Sequence, residues 1–371
     1  MNPSRKLLGF LCLLVLPVIL TLGLWPFRSP ANDVRWREGS NGLLFGGAGT
    51  LVSSGVFSST PHRAVHTVEI WASAEDLEGG STLLTFQNTV ANCAQVSVER
   101  SQADLEVRTR LAKNYFQITK RDLYADNVFR EREPVFITIT SGPAGSQVYS
   151  NGQLVREAPN FRLLQCGFEG RLIAGDSAGQ SNGWSGGIYG VAVYGRELDG
   201  DRIRRHFESW TRSGKPLLEA QDENILLYLF DEGKGRVAHD RAGGRLDLEI
   251  PERYMVVDKA ILPGFWDEFN PTPGYWQDVL NNIIGFIPVG LCFSAYFTAA
   301  SFRRPLLTAI LCGVALSLTI ECLQPFLATR ESGTTDLMTN TLGTGLGVRL
   351  LAWFGKRGFL RLGSITETGR Q

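Results

Sequence analysis

Seven polar residues sit inside or beside apolar runs in the last hundred positions of this 371-residue chain. Asp278 and Asn282 are four apart in WQDVLNNIIGFIPVGL, Glu321 and Gln324 three apart in SLTIECLQPFLATR, and Asp336 and Asn340 four apart in TDLMTNTLGTGLG. Residues three or four apart share one face of a helix. Arg330 falls between the second and third pairs. Carboxylates, amides and a guanidinium together can recognise a polar head group. The arginine suits a bidentate hold on a carboxylate or phosphate, or an ion pair with Glu321 or Asp336. Ionisable groups within apolar segments are expensive and point to function by default. The competing reading is an internal network that staples helices together.

The elements that must carry these residues are membrane spans. No charge occurs from Leu7 to Pro26 or from Val279 to Phe302. Only Glu321 interrupts 305–329, and only Arg349 interrupts 337–354. About 20 helical residues cross the ~30 Å hydrocarbon layer, so four transmembrane helices are expected, at 7–25 and at about 279–299, 305–325 and 338–355. Between the first two lies a polar stretch with short alternating runs. This segregation excludes a cytosolic enzyme and a fully embedded transporter. Net charge is zero, with 37 Lys+Arg against 37 Asp+Glu, which gives no electrostatic reason to expect nucleic acid.

Arg5 and Lys6 precede the first span, Arg303 and Arg304 join the second to the third, and Lys356, Arg357 and Arg361 follow the fourth. The positive-inside rule places both termini and the 303–304 turn in the cytoplasm of a multi-pass inner-membrane protein, with the large domain outside. Trp25, Phe27, Phe265, Trp266, Phe269, Tyr275 and Trp276 fit an outer aromatic belt. Ser29-Pro30-Ala31 is a poor cleavage site and the apolar run is long for a signal peptide, so the first span is read as retained. With this topology all three polar pairs fall at outer helix ends, Glu321 roughly 5 Å below Pro325 at 1.5 Å per residue. Gly343, Gly345 and Gly347 read as close helix packing, small residues at i and i+4 being its usual device; no Lys-Ser/Thr follows them as a nucleotide loop requires.

At these residues the chain resembles the VanZ-like membrane family. That family's pattern is D-x-x-x-N-x-x-x-F-x-P-x-G, then E-x-x-Q-x-x-x-x-x-R, then D-x-x-x-N-x-x-G. Asp278, Asn282, Phe286, Pro288 and Gly290 fill the first piece, Glu321, Gln324 and Arg330 the second, and Asp336, Asn340 and Gly343 the third. The resemblance covers 278–355 and implies an integral membrane protein of four helices, the span at 7–25 supplying the first. The founding member is associated with resistance to glycopeptide antibiotics, and no reaction is implied. The large insert after the first helix departs from the family plan.

Residues 32–257 read as an all-β two-sheet sandwich, followed by a juxtamembrane linker at 258–277. Val65–Ala72, Ser81–Phe86, Ala94–Glu99, Leu105–Leu111, Val135–Thr140 and Ser146–Tyr149 are short strands with β-branched and aromatic residues. Asn151-Gly152 predicts a type I′ hairpin, and Asp199–Thr211 a short amphipathic helix. TVEIWASAEDLEGGSTLLTF, VFITITSGPAGSQVYSNGQLV and RLIAGDSAGQSNGWSGGIYGVAVYGRELDGDRI occur in this order. They resemble laminin-G-like, concanavalin A-like jelly rolls, whose motifs read E-x-W, then Y-x-N-G-x-x-V, then G-W-x-G-x-I with V-x-x-Y-x-R-x-L. Residues 225–250 look like the opening strand pair of such a domain moved to its end.

Folds of this kind host carbohydrate binders, calcium sites, protein-interaction modules and glycanases. Hydrolysis with retention needs two carboxylates roughly 5 Å apart. Along a single strand the nearest match, Glu75-Asp76-Leu77-Glu78, has the wrong phase. Asp176, Asn182 and Trp184 are types that line a calcium or sugar site, but turn caps and a sheet-edge filler are the preferred reading. His62 and His66 lack partners at metal spacing, so no metal is expected; calcium in the sandwich is the one cofactor candidate. Cys12, Cys292, Cys312 and Cys322 lie in spans, while Cys93 and Cys166 lie in the outer domain, either bonded or free, since spacing does not decide it.

The expected protein is therefore an envelope membrane protein whose outer-leaflet site engages an envelope lipid, a lipid-linked saccharide or a glycopeptide, with the sandwich binding glycan or protein. The alternatives are a membrane enzyme of lipid-linked glycan metabolism, with Glu321 or Asp336 as base and Arg330 as phosphate clamp, and a purely structural scaffold.

Overall fold

A computed structural model describes residues 3–58, 66–88, 95–114, 117–163, 169–178, 182–243, 246–269 and 273–356. The chain divides into two compact units, residues 3–28 with 259–356 and residues 29–258. Helix α1 (Pro3–Leu24) opens the first unit, and α2 (Gly200–Ser213) belongs to the second. The first unit continues with α3 (Phe265–Glu268), α4 (Pro273–Ala299), α5 (Pro305–Leu323) and α6 (Thr334–Lys356).

The second unit is antiparallel β. Its strands begin with β1 (Arg35–Trp36), β2 (Leu43–Gly46), β3 (Leu51–Ser53), β4 (Phe57–Ser58), β5 (Thr67–Ala74) and β6 (Gly80–Asn88). Then come β7 (Gln95–Ser101), β8 (Asp104–Asn114), β9 (Gln117–Ala125), β10 (Val135–Gly142), β11 (Gly145–Ser150) and β12 (Gln153–Ala158). The last are β13 (Glu169–Ala174), β14 (Ser185–Tyr194), β15 (Asn224–Tyr228), β16 (Val237–Ala238) and β17 (Leu248–Glu249). One sheet runs β1-β2-β14-β5-β10-β11-β12, and the other β16-β17-β3-β13-β6-β7-β8-β9. The β11–β12 turn takes positive φ at Asn151 (50°) and Gly152 (77°), the geometry that a type I′ hairpin demands.

Residues on alternate sides of β5 serve two cores. Val68, Ile70 and Ala72 face the interior between the sheets with Phe86, Val98, Val107, Ile139 and Val191. On the other side, Trp71 packs with Phe136, Tyr194 and Trp210 beneath α2. Helix α2 starts where the Asp199 side chain accepts from the Arg202 N–H, and ends at Gly214 with φ 70°. Both ends thus have the partners that exposed helix termini lack.

β14 is shared: Ser185–Ile188 pair with β2, while Val191–Tyr194 pair with β15. β17 in turn pairs with β3 of the other sheet. The 224–250 segment therefore contributes to both sheets. Tyr254 N–H donates to the Pro30 carbonyl (3.0 Å) and Asn32 N–H to Glu252 (3.1 Å), so the unit's two ends are neighbours.

In the first unit, Ile19, Phe286, Val289, Leu316 and Ile320 join α1, α4 and α5 in one apolar cluster. Helices α4 and α6 approach backbone to backbone. A Cβ on Gly343 would stand 2.2 Å from the Ile283 carbonyl oxygen, one on Gly347 2.2 Å from that of Ile287, and one on Gly290 2.0 Å from that of Thr344. Gly345 faces open space. The close contact thus uses the i, i+4 pair 343 and 347.

Among the described residues three helices are long and apolar enough to cross a membrane: Arg5–Leu24, Pro273–Ala299 and Pro305–Phe326. The fourth expected span does form a helix, α6, but it is not one of them. Thr334, Thr335, Asp336, Thr339, Asn340, Thr341 and Thr344 fill its first half with hydroxyls, a carboxyl and an amide, which lowers its apolar character below that of the other three.

Candidate functional site

The C-terminal end of α1, the N-terminal half of α4, the C-terminal end of α5 and the start of α6 surround a cavity of about 630 Å³. Two residues outside these four helices shape its rim. Lys259 donates through Nζ to the carbonyls of Leu327 (2.9 Å), Ala328 (2.6 Å) and Arg330, which folds the 327–330 loop around one ammonium. Glu268 on α3 accepts from the N–H groups of Thr334 (2.8 Å) and Thr335 (2.9 Å). A carboxylate there meets the unpaired N–H groups and the positive end of the α6 dipole.

All seven membrane-region candidates line this cavity. Asn282 Nδ2 donates to Asp336 Oδ1 across 2.7 Å. Glu321, 1% exposed, accepts from the Gly333 N–H at 2.8 Å. Gln324 Nε2 donates to the Gly23 carbonyl at 3.1 Å, and Asn340 Nδ2 to Ser317 Oγ at 3.0 Å. Asp278 is exposed. Arg330 makes neither of the ion pairs open to it: its Nε donates to the Trp25 carbonyl (2.7 Å) and its Nη2 to that of Leu22 (3.2 Å). The guanidinium thereby satisfies carbonyls that the end of α1 leaves without helical partners.

The lining is rich in acceptors. Glu268, Asp278, Glu321, Glu331 and Asp336 stand against Arg330 as the single cation lining it among the described residues. Three further oxygens, Gln324 Oε1, Thr335 Oγ1 and Asn340 Oδ1, are buried with no hydrogen-bond partner.

In the sandwich, Asp176 is fully buried. Its Oδ1 accepts from the N–H groups of Ser177 and Asn182 (both 2.8 Å), and its Oδ2 from the Tyr254 hydroxyl (2.5 Å). Asn182 Nδ2 donates to Thr82 Oγ1 at 3.0 Å. Trp184 is fully buried beside Phe129, with the Arg100 guanidinium 6.0 Å from its ring centroid. The three therefore sit as a turn cap, a loop tie and a core side chain. Cys93, Cys166 and His62 lie outside the described residues. Among the described residues no group of three His, Cys, Asp or Glu could hold a metal ion.

Two buried polar clusters escaped the sequence reading. Glu69 accepts from the Tyr194 hydroxyl (2.8 Å) and Trp210 Nε1 (3.2 Å), with His206 Nδ1 at 2.9 Å. Burial pushes the Tyr194 phenol well above its ordinary value, with Glu69 adding to the effect. Arg202 beside it holds Asp222 through Nε (3.0 Å) and Nη2, and Glu219 through Nη1. On the outer side of β7 and β8, Glu99 faces Glu106 directly across the ladder. Arg108 binds Glu99 (3.1 Å), Glu106 and Asp122 (3.3 Å). Burial nonetheless pushes the Glu99 carboxyl above its ordinary value, against the Ser97 hydroxyl and Arg108. A search along single strands misses this carboxylate pair because it forms between strands. Arg108 bridges the two groups and closes the network.

Residues 46–204 match the family model described as the concanavalin A-like lectin/glucanases superfamily, and residues 238–355 match the model described as VanZ/LLP1. Protein VanZ of Enterococcus faecium is 36% identical over 77 residues, which are 21% of this chain and 45% of that protein. A Bacteroides ovatus protein named for carbohydrate binding aligns at 13% identity and TM-score 0.41, covering 63% of this chain and 62% of its own. The CBM40 of the Ruminococcus gnavus IT-sialidase, bound to α2,3 sialyllactose, aligns at 13% identity and TM-score 0.31, covering 44% of this chain and 95% of its own. The chain thus spans less than half of the VanZ protein and less than two thirds of the Bacteroides protein. One chain accordingly joins a concanavalin A-like domain at 46–204 to a VanZ-like region at 238–355.

Proposed function

We propose that this chain is a multi-pass cell-envelope protein whose polar cavity holds the head group of an envelope lipid, a lipid-linked saccharide or a glycopeptide. The observation that carries this reading is the cavity itself: about 630 Å³, at one end of apolar helices, with three buried oxygens lacking partners. A network serving only to staple helices pairs its own groups, because an unpaired buried polar atom costs about 1–3 kcal/mol. The opposite helix ends carry Arg5, Lys6, Arg303, Arg304 and Lys356, which supports an external cavity under the positive-inside rule. On that topology the sandwich is external and the cytoplasm holds both ends. A glycan-binding role for the sandwich draws its support from the superfamily that residues 46–204 match.

The enzyme alternative is weakened at one point. Its phosphate clamp, Arg330, is engaged by the carbonyls of Leu22 and Trp25. Purified full-length protein assayed against lipid-linked sugars, beside Glu321→Gln, separates the readings. Saturable binding without turnover, weakened in the variant, is expected. Turnover lost in the variant favours the enzyme, and a lower melting temperature with no binding in either protein favours the scaffold.

A further inference from the structure

Building on the head-group reading, we propose that the group held in the cavity carries a primary ammonium. Four donor side chains of the cavity wall already have partners within the protein. Asn282 gives its amide N–H to Asp336, Gln324 to Gly23, Asn340 to Ser317, and Arg330 its guanidinium to Leu22 and Trp25. Unpaired on the wall are the amide oxygens of Gln324 and Asn340, which can only accept, and the Thr335 hydroxyl, on residues 7%, 4% and 6% exposed. Five carboxyl-bearing residues line the same space. Glu321 and Asp336 have no ion-pair partner among the described residues. A buried carboxylate is costly without a counter-charge, and the one cation lining the wall among the described residues, Arg330, is held by main-chain carbonyls.

A phosphate or sulfate in this space would face five carboxyl-bearing residues against one guanidinium. A primary ammonium offers three N–H donors and one positive charge, which matches three unmet oxygens and the acidic wall. A quaternary ammonium has the charge but no N–H, and would leave the amide oxygens unmet. A bare metal ion is a poor match as well. The cavity has many times the ~30 Å³ share of one water, and no three acidic, His or Cys side chains among the described residues could hold a metal. The occupant is thus an organic amine: an aminoalkyl phospholipid head, an amino sugar, or the side-chain amine of a lipid-borne peptide.

The test uses full-length protein in detergent, with mixed micelles containing phosphatidylethanolamine, phosphatidylcholine or phosphatidylglycerol at equal mole fraction, and free ethanolamine as a fourth probe. The expected result is that phosphatidylethanolamine alone among the lipids raises the melting temperature, saturably. Glu321→Gln weakens its apparent affinity about tenfold or more, since removing one partner of a buried charge pair is costly. Should that variant fail to accumulate, Asp278→Asn at the exposed rim serves the same comparison. Protection by ethanolamine alone supports a water-soluble amine source, and protection only by the lipid supports a membrane source. Equal protection by phosphatidylglycerol or phosphatidylcholine overturns the ammonium assignment and leaves the head-group reading standing. Protection that neither substitution weakens overturns the placement in this cavity. No protection by any probe overturns the ammonium assignment, and lipid-linked sugars failing to bind as well overturns the head-group reading with it.

Discussion

Asn282 on α4 and Asp336 on α6 are joined by a 2.7 Å hydrogen bond across 54 residues of sequence. The two motif pieces that hold them read as separate helix faces, and the bond makes them one wall of the cavity. Replacing Asn282 by Asp puts a second carboxyl against Asp336, and like charges at such range repel. Asn282→Asp should lower the melting temperature of the detergent-solubilised protein more than Asn282→Ala does. Asn282→Ala should cost about 0.5–1.5 kcal/mol, the net worth of a typical hydrogen bond, since the pair is half-buried. An Asp variant as stable as the parent would show that the bond is not formed in solution.

Arg330 is where side-chain pairing was expected and main-chain pairing was found. Its two donors reach the carbonyls of Leu22 and Trp25 at the end of α1. Arg330→Ala should therefore loosen residues 22–28, seen as faster hydrogen exchange there. Arg330→Lys should restore part of the protection, since a single ammonium can reach one carbonyl. Unchanged exchange in Arg330→Ala would mean that the guanidinium points elsewhere.

Much of the cavity was legible because i+3 and i+4 spacing is a local signal. The pairs 278/282, 321/324 and 336/340 needed nothing beyond helical geometry. Lys259 and Glu268 were not legible, because each meets a helix end or loop about 70 residues away through main-chain atoms. Main-chain partners leave no mark in a side-chain pattern. Glu99 and Glu106 were hidden for a related reason: their register is set by the β7–β8 turn, so the pair is spaced by seven residues rather than two. In the sandwich, Glu69 and Tyr194 stood in quoted motifs, yet that they share one buried site with His206 and Trp210 is a product of how α2 docks.

Asp222 offers a pH test of the sandwich. Burial opposes its ionised form, but hydrogen bonds from Arg202 and from the Glu219 N–H outweigh this and hold the carboxyl below its ordinary value. A carboxyl lowered in the folded state adds stability above the unfolded value, roughly pH 4, and that stability disappears as pH falls through the lower folded value. The gap in melting temperature between the parent and Asp222→Asn should stay constant from pH 7 to 5 and close below about pH 4. Glu99, raised by burial, works in the opposite sense, so Glu99→Gln should flatten a gain in stability on mild acidification. A gap for Asp222→Asn that widens on acidification contradicts the assignment.

The topology has a direct chemical test. A single cysteine at position 150, in a chain whose six native cysteines are replaced by serine, should react with a membrane-impermeant maleimide on intact cells. A second single cysteine at position 303 should react only after lysis, because that turn belongs to the cationic side. Labelling at 150 only after lysis would reverse the orientation.

The segment after α2 should be indispensable to the sandwich. Take residues 29–258 as a fragment, and compare it with one ending at Ser213. The shorter fragment loses β15 from β14 and β17 from β3, so both sheets gain an unpaired edge. It also loses Ile225, Leu226, Leu227 and Tyr228, all 5% exposed or less. Burying one such side chain contributes about 1.5–3 kcal/mol. Asp222 and Glu219 go too, and Arg202, 4% exposed, is left inside without its carboxylates. An uncompensated buried charge costs about 3–5 kcal/mol. The sum reaches or exceeds the 5–15 kcal/mol that typically separates folded from unfolded domains, so the shorter fragment should show no cooperative melting by circular dichroism while the longer one melts in a single transition. Equal melting temperatures for the two would mean that the sandwich is complete at Ser213 and that the strand pairings of 224–249 add nothing to it.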